Sequence, residues 1–300
     1  MSEEVLYSEV FHSIQGEGEY TGVPTAWVRF FLCNLQCNGF GQPDPTNPDT
    51  YDLPYENLIV SDYKTMEDLP VFERGCDSSY SWSKKFKPLQ HKGTPADIAQ
   101  KIRESMKTES NPQGLFAFNE AHQHLCFTGG EPLMKHAQAA STSILQEFID
   151  QGDSPASVTY ETNGTRQLTE EFKEYWSWTN NQTDSIELFM SVSPKLWTVA
   201  GEQRKKAIKP EVVAEYNNLT PCGQLKFVLG PEERQWDEME EVVDLFRQAG
   251  VMYPVWIMPV GATVEGQKLV DGDVATMALK RGYNVSARVH TYLWGNVIGV

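Results

Sequence analysis

No stretch of the chain approaches the roughly 18 consecutive apolar residues that a membrane-spanning helix needs, which excludes a spanning segment of that kind. The amino terminus, Met-Ser-Glu-Glu, has neither a basic region nor an apolar run behind it, so no secretory signal and a cytoplasmic location are expected. Positive charge is in short supply. Twenty-five Lys and Arg face 41 Asp and Glu, a formal net charge of -16, and such a balance repels a phosphate backbone instead of binding it by counterion release. No nucleic-acid partner is expected. Cysteine is scarce too: five residues, at 33, 37, 76, 126 and 222, an odd number that points to metal or catalysis before disulfides in a cytosolic chain.

What is present is an alternation of short apolar runs with amphipathic stretches, the rhythm of βα units. Candidate strands are Thr25–Phe31, His124–Thr128, Ser157–Glu161, Glu187–Ser191, Gln224–Leu229 and Pro254–Met258, several of them apolar on both faces as buried parallel strands are. Pro95–Met106 follows Thr94 as a proline-initiated, threonine-capped helix, and residues 136–150 and 169–177 read as further helices. Glu232–Gln248 sets Met239, Val242, Val243 and Phe246 on one face and stops before Gly250. The expectation is one α/β domain over residues 1–300, a parallel sheet with helices outside. Residues 38–75 break the rhythm with five prolines and little periodicity, and read as an inserted loop or small subdomain.

Cys33 and Cys37 enclose three residues at the exit of the first apolar strand, where α/β folds collect their sites. Thiolates at that spacing suit iron-sulfur or zinc, and the pair alone does not choose between them. Cys76, in Gly75-Cys76-Asp77-Ser78, supplies a third thiol from a polar stretch; Cys126 and Cys222 are the rivals for that place. Thr128-Gly129-Gly130-Glu131-Pro132 follows the second apolar strand, Ser193-Pro194-Lys195 the fourth, and Met258-Pro259 closes the sixth. Near the amino terminus stands Ser13-Ile14-Gln15-Gly16-Glu17-Gly18, followed by Val28-Arg29-Phe30. A bland reading makes Glu17 and Arg29 a surface ion pair and the glycines turn residues.

Together these strings resemble the 7-carboxy-7-deazaguanine synthases of the radical S-adenosylmethionine (SAM) superfamily, from residue 8 to about 296, with the Cys-x3-Cys-x2-Cys motif interrupted by the insertion. The resemblance implies a partial (β/α)6 TIM-like barrel in which Cys33, Cys37 and Cys76 hold a 4Fe-4S cluster with one iron open to SAM. It assigns SAM contacts to Asp77, Gly129, Gly130, Glu131, Ser193, Pro194, Lys195, Met258 and Pro259. In this match the glycines let the backbone approach the methionine end of SAM, and Glu131 favours its ammonium group. Substrate contacts fall to Ile14, Gln15, Gly16, Glu17, Arg29 and Thr128, with Arg29 offering a planar donor fork to a carboxylate. Ser78 becomes a magnesium ligand, although a loop or helix-capping role fits it as well. His290, in the tail Arg288–Asn296, reads equally as a structural histidine or a substrate contact.

The implied activity is that of a carbon-nitrogen lyase. It converts 6-carboxy-5,6,7,8-tetrahydropterin to 7-carboxy-7-deazaguanine and ammonia by radical ring contraction, in queuosine-type 7-deazapurine biosynthesis. Flavodoxin or ferredoxin is the implied electron donor and a homodimer the implied assembly; no residue is singled out as a protein acid or base. The alternatives are another radical SAM activity such as a glycyl-radical activase, a zinc-binding scaffold, and a catalytically degenerate metal-binding module.

Overall fold

The computed structural model describes residues 4–118, 121–177, 183, 185–295 and 297–299. The chain begins with β1 (Val5–Ile14), β2 (Pro24–Phe30) and, after a long excursion, β3 (His91–Gly93) and α1 (Pro95–Ser105). Then β4 (His124–Gly129), α2 (Lys135–Asp150), β5 (Ser157–Thr162), α3 (Glu170–Tyr175) and β6 (Glu187–Val192) follow in alternation. The second half adds α4 (Pro210–Leu219), β7 (Gly223–Leu229), α5 (Glu233–Gln248), β8 (Val255–Pro259), α6 (Asp271–Arg281), β9 (Asn284–Val285) and α7 (Val289–Trp294). A small hairpin pairs Ala117–Phe118 with Ala121–His122.

These strands form one nine-stranded sheet in the order β9-β8-β7-β6-β5-β4-β2-β1-β3. From β2 to β9 every pairing is parallel, and β1 and β3 extend the edge antiparallel. No ladder joins β9 to β3, so the curved sheet is an open, partial barrel. All six strands expected from the sequence are present, and β1, β3 and β9 are additions.

One face of the sheet is apolar and packs on the helices. Val28 and Phe30, Leu125 and Phe127, Val158 and Tyr160, Leu188 and Met190, and Leu225 and Phe227 belong to a single core with α1, α2 and α5. Each such fully buried side chain stabilises the fold by about 1.5–3 kcal/mol. The expectation of strands apolar on both faces needs correcting: both faces are buried, but the inner one carries Arg29, Thr128, Glu161, Ser191 and Lys226. Polar side chains are shielded there because the barrel encloses them, not because they pack on helices.

Local chemistry sets the helix ends. Thr94 Oγ accepts the Asp97 N–H at 3.2 Å and Asp97 accepts the Thr94 N–H at 2.9 Å, a reciprocal capping box with Pro95 at the first helical position. Along α5 the buried stripe runs Trp236, Met239, Val242, Val243 and Phe246, then Gly250 turns the chain in a left-handed conformation. Residues 38–75 contain only short helical turns, at Pro48–Thr50, Pro54–Asn57 and Val60–Asp62. They are held by an apolar cluster of their own, Tyr55, Met66, Leu69 and Phe72, which Tyr80 and Phe86 complete. Among the described residues no helix is long and apolar enough to cross a membrane.

Candidate active site

The carboxyl ends of the parallel strands and the Gln15–Gly18 loop enclose one cavity. Its cysteine wall begins where β2 ends. Leu32 and Cys37 take positive φ angles of 92° and 53°, conformations that bend the chain sharply around Cys33. Glu202 fixes the bend, its Oε1 accepting the N–H groups of Gln36 at 2.7 Å and Cys37 at 2.8 Å. The excursion that follows returns to its starting point: the Gly75 N–H bonds the Phe40 carbonyl at 2.8 Å, and the Leu32 N–H bonds the Ser81 carbonyl at 2.8 Å. Thus Cys76 arrives beside Cys33 and Cys37, and all three thiols line the cavity and pack in one cluster with Leu35 and Phe40.

The surroundings of the sulfurs bear on what they can hold. Cys33 Sγ accepts from the Leu35 N–H at 3.4 Å and faces Asn163 Nδ2 at 3.7 Å, while Cys76 Sγ lies 3.4 Å from Ser78 Oγ. Burial pushes the Cys33 thiol up to about 12, with the Glu131 charge adding to it, and pushes those of Cys37 and Cys76 up as well. Lys195 acts the other way on both Cys33 and Cys37. Thiols in this state become ligands only when a bound cation displaces their protons. Among the described residues no three His, Cys, Asp or Glu side chains converge on the position of a single ion. Three sulfurs spread over one cavity wall, with amide donors aimed at one of them, fit a larger polynuclear group.

The glycines after β4 owe their place to backbone packing. A Cβ on Gly130 would lie 2.3 Å from the Leu32 carbonyl oxygen and 2.9 Å from Cys33 Cβ, so this loop is pressed directly onto the cysteine bend. Both Gly129 and Gly130 also line the cavity. Glu131 departs from expectation: it is fully buried, does not line the cavity, and its carboxylate accepts from Leu133 N, Thr162 Oγ1 and Asn163 N at 2.7–2.9 Å. It braces the β4 and β5 exits. Pro194 is likewise off the cavity wall, whereas Ser193, Lys195, Met258 and Pro259 are on it. Lys195 Nζ bonds Ser193 Oγ at 2.9 Å and sits over the Phe40 ring.

Opposite the cysteines, Ile14, Gln15, Gly16 and Glu17 form the floor, joined by Arg29 and Thr128. The surface ion pair of the bland reading does not exist. Glu17 is bound by Lys226 and by Arg288 Nε at 2.9 Å, and Lys226 also lies 3.5 Å from Glu161. Burial alone would raise the Glu17 carboxyl, but Lys226 and Arg288 outweigh it and hold the group well below the usual carboxylate range. Glu161 extends the network by accepting from Thr128 Oγ1 at 3.2 Å and Gln15 Nε2 at 3.4 Å. Arg29 instead pairs with Glu9 across the β1–β2 ladder at 2.5 Å, and Tyr80, from the cysteine loop, donates to the same Glu9 oxygen at 2.9 Å.

The carboxyl-terminal segment folds back over this floor. The Val289 N–H bonds the Gly16 carbonyl at 2.9 Å, and His290 packs where any side chain on Gly16 would overlap it. Burial lowers the His290 pKa, with Glu17 opposing it. Arg288 bridges Glu17 to Asp77 Oδ2 at 2.8 Å and donates to the Gly261 carbonyl at 3.2 Å. Asn296, the last residue of the tail motif, lies outside the described residues. Ser78 stands before the turn Ser79–Ser81 without capping it, and the residue lines the cavity.

Sequence reasoning missed Glu9, Glu161, Lys226 and Arg288. A lysine inside an apolar run, Leu225-Lys226-Phe227, was the available signal. Cys126, the rival third ligand, is fully buried on β4, off the cavity wall and facing Glu161 and Lys226, and Cys222 precedes β7 at the opposite end of the sheet.

No family model matches the chain. Curated relatives match along nearly all of it. A 7-carboxy-7-deazaguanine synthase of Thermoplasma acidophilum is 25% identical over 301 residues, 99% of this chain and 100% of that protein. One from Rhodopirellula baltica is 25% identical over 97% of this chain and 87% of its own length. A shorter match, 52% identical over 31 residues, joins 10% of the chain to 17% of the synthase of Bacteroides thetaiotaomicron. Among solved structures, QueE from Escherichia coli superposes with a TM-score of 0.50 at 16% identity, covering 96% of this chain and 95% of that one, a likeness of fold. Along almost its whole length, therefore, this chain is similar to curated 7-carboxy-7-deazaguanine synthases.

Proposed function

We propose that the chain is a radical SAM 7-carboxy-7-deazaguanine synthase, converting 6-carboxy-5,6,7,8-tetrahydropterin to 7-carboxy-7-deazaguanine and ammonia. The observation that carries this reading is the meeting of Cys33, Cys37 and Cys76 on one wall of the cavity whose floor is Gln15–Glu17. Cys33, Cys37 and Cys76 are the residues that would hold a 4Fe-4S cluster. Asp77, Gly129, Gly130, Ser193, Lys195, Met258 and Pro259, all on the cavity wall, are the residues that would receive SAM, and Ser78 would offer one hydroxyl to a magnesium ion. Together those groups supply, when bound, the one-electron cleavage that starts a radical ring contraction.

The chain's own residues do the positioning. The flat donor-acceptor edge of a pterin finds Gln15, Glu17 and Thr128, and Glu17 is kept ionised by Lys226 and Arg288. Arg29, paired with Glu9 through its Nε, would offer its remaining N–H groups to a carboxylate. The tail residues Arg288 and His290 close the floor and, with Val297 and Ile298, shield the cavity from water. Arg29, Lys195, Lys226 and Arg288 line this cavity beside Glu9, Glu17, Glu73, Asp77 and Glu161, so an anionic group would be received locally, at Arg29 and Lys195, and not by a net positive cavity.

Anaerobic turnover of the carboxypterin by the reconstituted protein, read by mass spectrometry, tests the reading. Formation of the deazaguanine product supports it. Cleavage of SAM without any product from the carboxypterin would overturn the substrate assignment.

A further inference from the structure

The cavity holds about 280 Å³, just below the roughly 300–1,000 Å³ of small-molecule sites, so all but the smallest ligands need one wall to yield. Most of its walls are fixed. The strand exits are tied by parallel ladders, the cysteine bend by Glu202, and the tail by the bonds from Val289 to Gly16 and from Gly295 to Thr291. Two stretches of the wall differ: Pro70, Val71 and Glu73 of the insertion, and Val297, Ile298 and Gly299 of the tail. No backbone hydrogen bond ties either of them to the other described residues. What holds them is apolar. Phe72 is 1% exposed in the insertion's own cluster with Tyr55, Met66 and Leu69, and Ile298 packs against that same cluster from the tail.

We propose that these two stretches form a clasp over the cavity: Ile298 leaves the insertion cluster to admit a ligand and reseats to enclose it. Apolar contact is non-directional and parts without stranding a buried hydrogen-bonding group, which suits a segment that must open locally while the rest stays folded. Gly295, at a φ of 75° where α7 ends, is the natural pivot, since glycine turns there without steric cost. The ion pairs of Arg288 with Glu17 and Asp77 lie on the fixed side of that pivot. The clasp gives residues 38–75 a task, to supply the seat for the tail, and it holds whatever ligand the cavity takes.

The test reads the full-length chain, freed of metal by chelation, through its own thiols. Cys37 and Cys76 face the cavity, Cys222 lies at the opposite end of the sheet, and Cys126 is fully buried off the cavity wall. Cys33 also borders the outer surface and is not used as a reporter. Modification by N-ethylmaleimide is followed by peptide mass spectrometry at one fixed pH in wild type, Ile298→Asp, Ile298→Ala and Leu293→Asp, the last altering a tail residue that is 56% exposed and outside the cluster. The expected result is modification of Cys37 and Cys76 about fivefold faster or more in Ile298→Asp, a smaller rise at the same two thiols in Ile298→Ala, and wild-type rates in Leu293→Asp and at Cys126 and Cys222 throughout. Wild-type rates at Cys37 and Cys76 in both Ile298 variants overturn the proposal. So does equal acceleration in Leu293→Asp, or acceleration that reaches Cys126 in both Ile298 variants, which reports opening of the whole fold and not of a clasp.

Discussion

Replacing Lys226 with methionine removes the charge on which the cavity floor balances. The ammonium group is 5% exposed and faces Glu17 and, at 3.5 Å, Glu161. Breaking a buried pair by deleting one partner costs about 3–5 kcal/mol because the other charge is left without compensation. Arg288 still reaches Glu17 at 2.9 Å, so the loss falls at the lower end, about 3 kcal/mol. Urea denaturation of the single variants and of Lys226→Met/Glu17→Gln forms the assay. The double variant regains about 1–2 kcal/mol over the sum of the singles, a partial recovery since Glu161 stays uncompensated. The pH dependence has a definite sign. Because Glu17 is held below the ordinary carboxylate value, its pair contributes stability above that value, and the contribution is lost as pH falls below about 5. In Lys226→Met burial pulls the carboxyl back up and this acid-side slope shrinks. Strict additivity in the cycle, or a single-variant cost under about 1 kcal/mol, refutes the reasoning.

Gly130→Ala drives a methyl group into the Leu32 carbonyl and Cys33, costing about 1–3 kcal/mol by overpacking, and the variant retains less iron per chain than wild type after reconstitution. Glu202→Ala frees the Gln36 and Cys37 amides at the cost of about 1–3 kcal/mol locally, seen as faster hydrogen exchange at those two amides. Tyr80→Phe deletes one hydrogen bond to Glu9, worth about 0.5–1.5 kcal/mol, and loosens the aim of Arg29; steady-state kinetics should show KM for the carboxypterin rising more than kcat falls.

Much of this molecule was legible in its sequence. The six parallel strands could be read because their helix-facing residues, such as Leu225, Phe227 and Leu229, recur at period two inside buried runs. The antiparallel strand β1 was not read, since Phe11–Ile14 belong at once to a strand and to the motif that overlaps it. Helix α4 carries Val212, Val213 and two asparagines, and α6 contains Gly272, so neither shows a strong periodic pattern. In the site, all the assigned residues except Glu131 and Pro194 line the cavity. Glu131 stands off the cavity wall because its carboxylate takes three internal donors, an arrangement set by the β4 and β5 exits and invisible along the chain. Lys226, Glu161 and Arg288 escaped notice because their charged partners lie 65 or more residues away in sequence, brought together only by the fold.

Iron and acid-labile sulfide, counted anaerobically after reconstitution in wild type, Cys76→Ala and Cys126→Ala, bear most directly on the place of the third thiol. The account predicts near-stoichiometric cluster in wild type and Cys126→Ala, with loss in Cys76→Ala to the level of a Cys33→Ala control. Retention of the cluster by Cys76→Ala together with its loss from Cys126→Ala would contradict it.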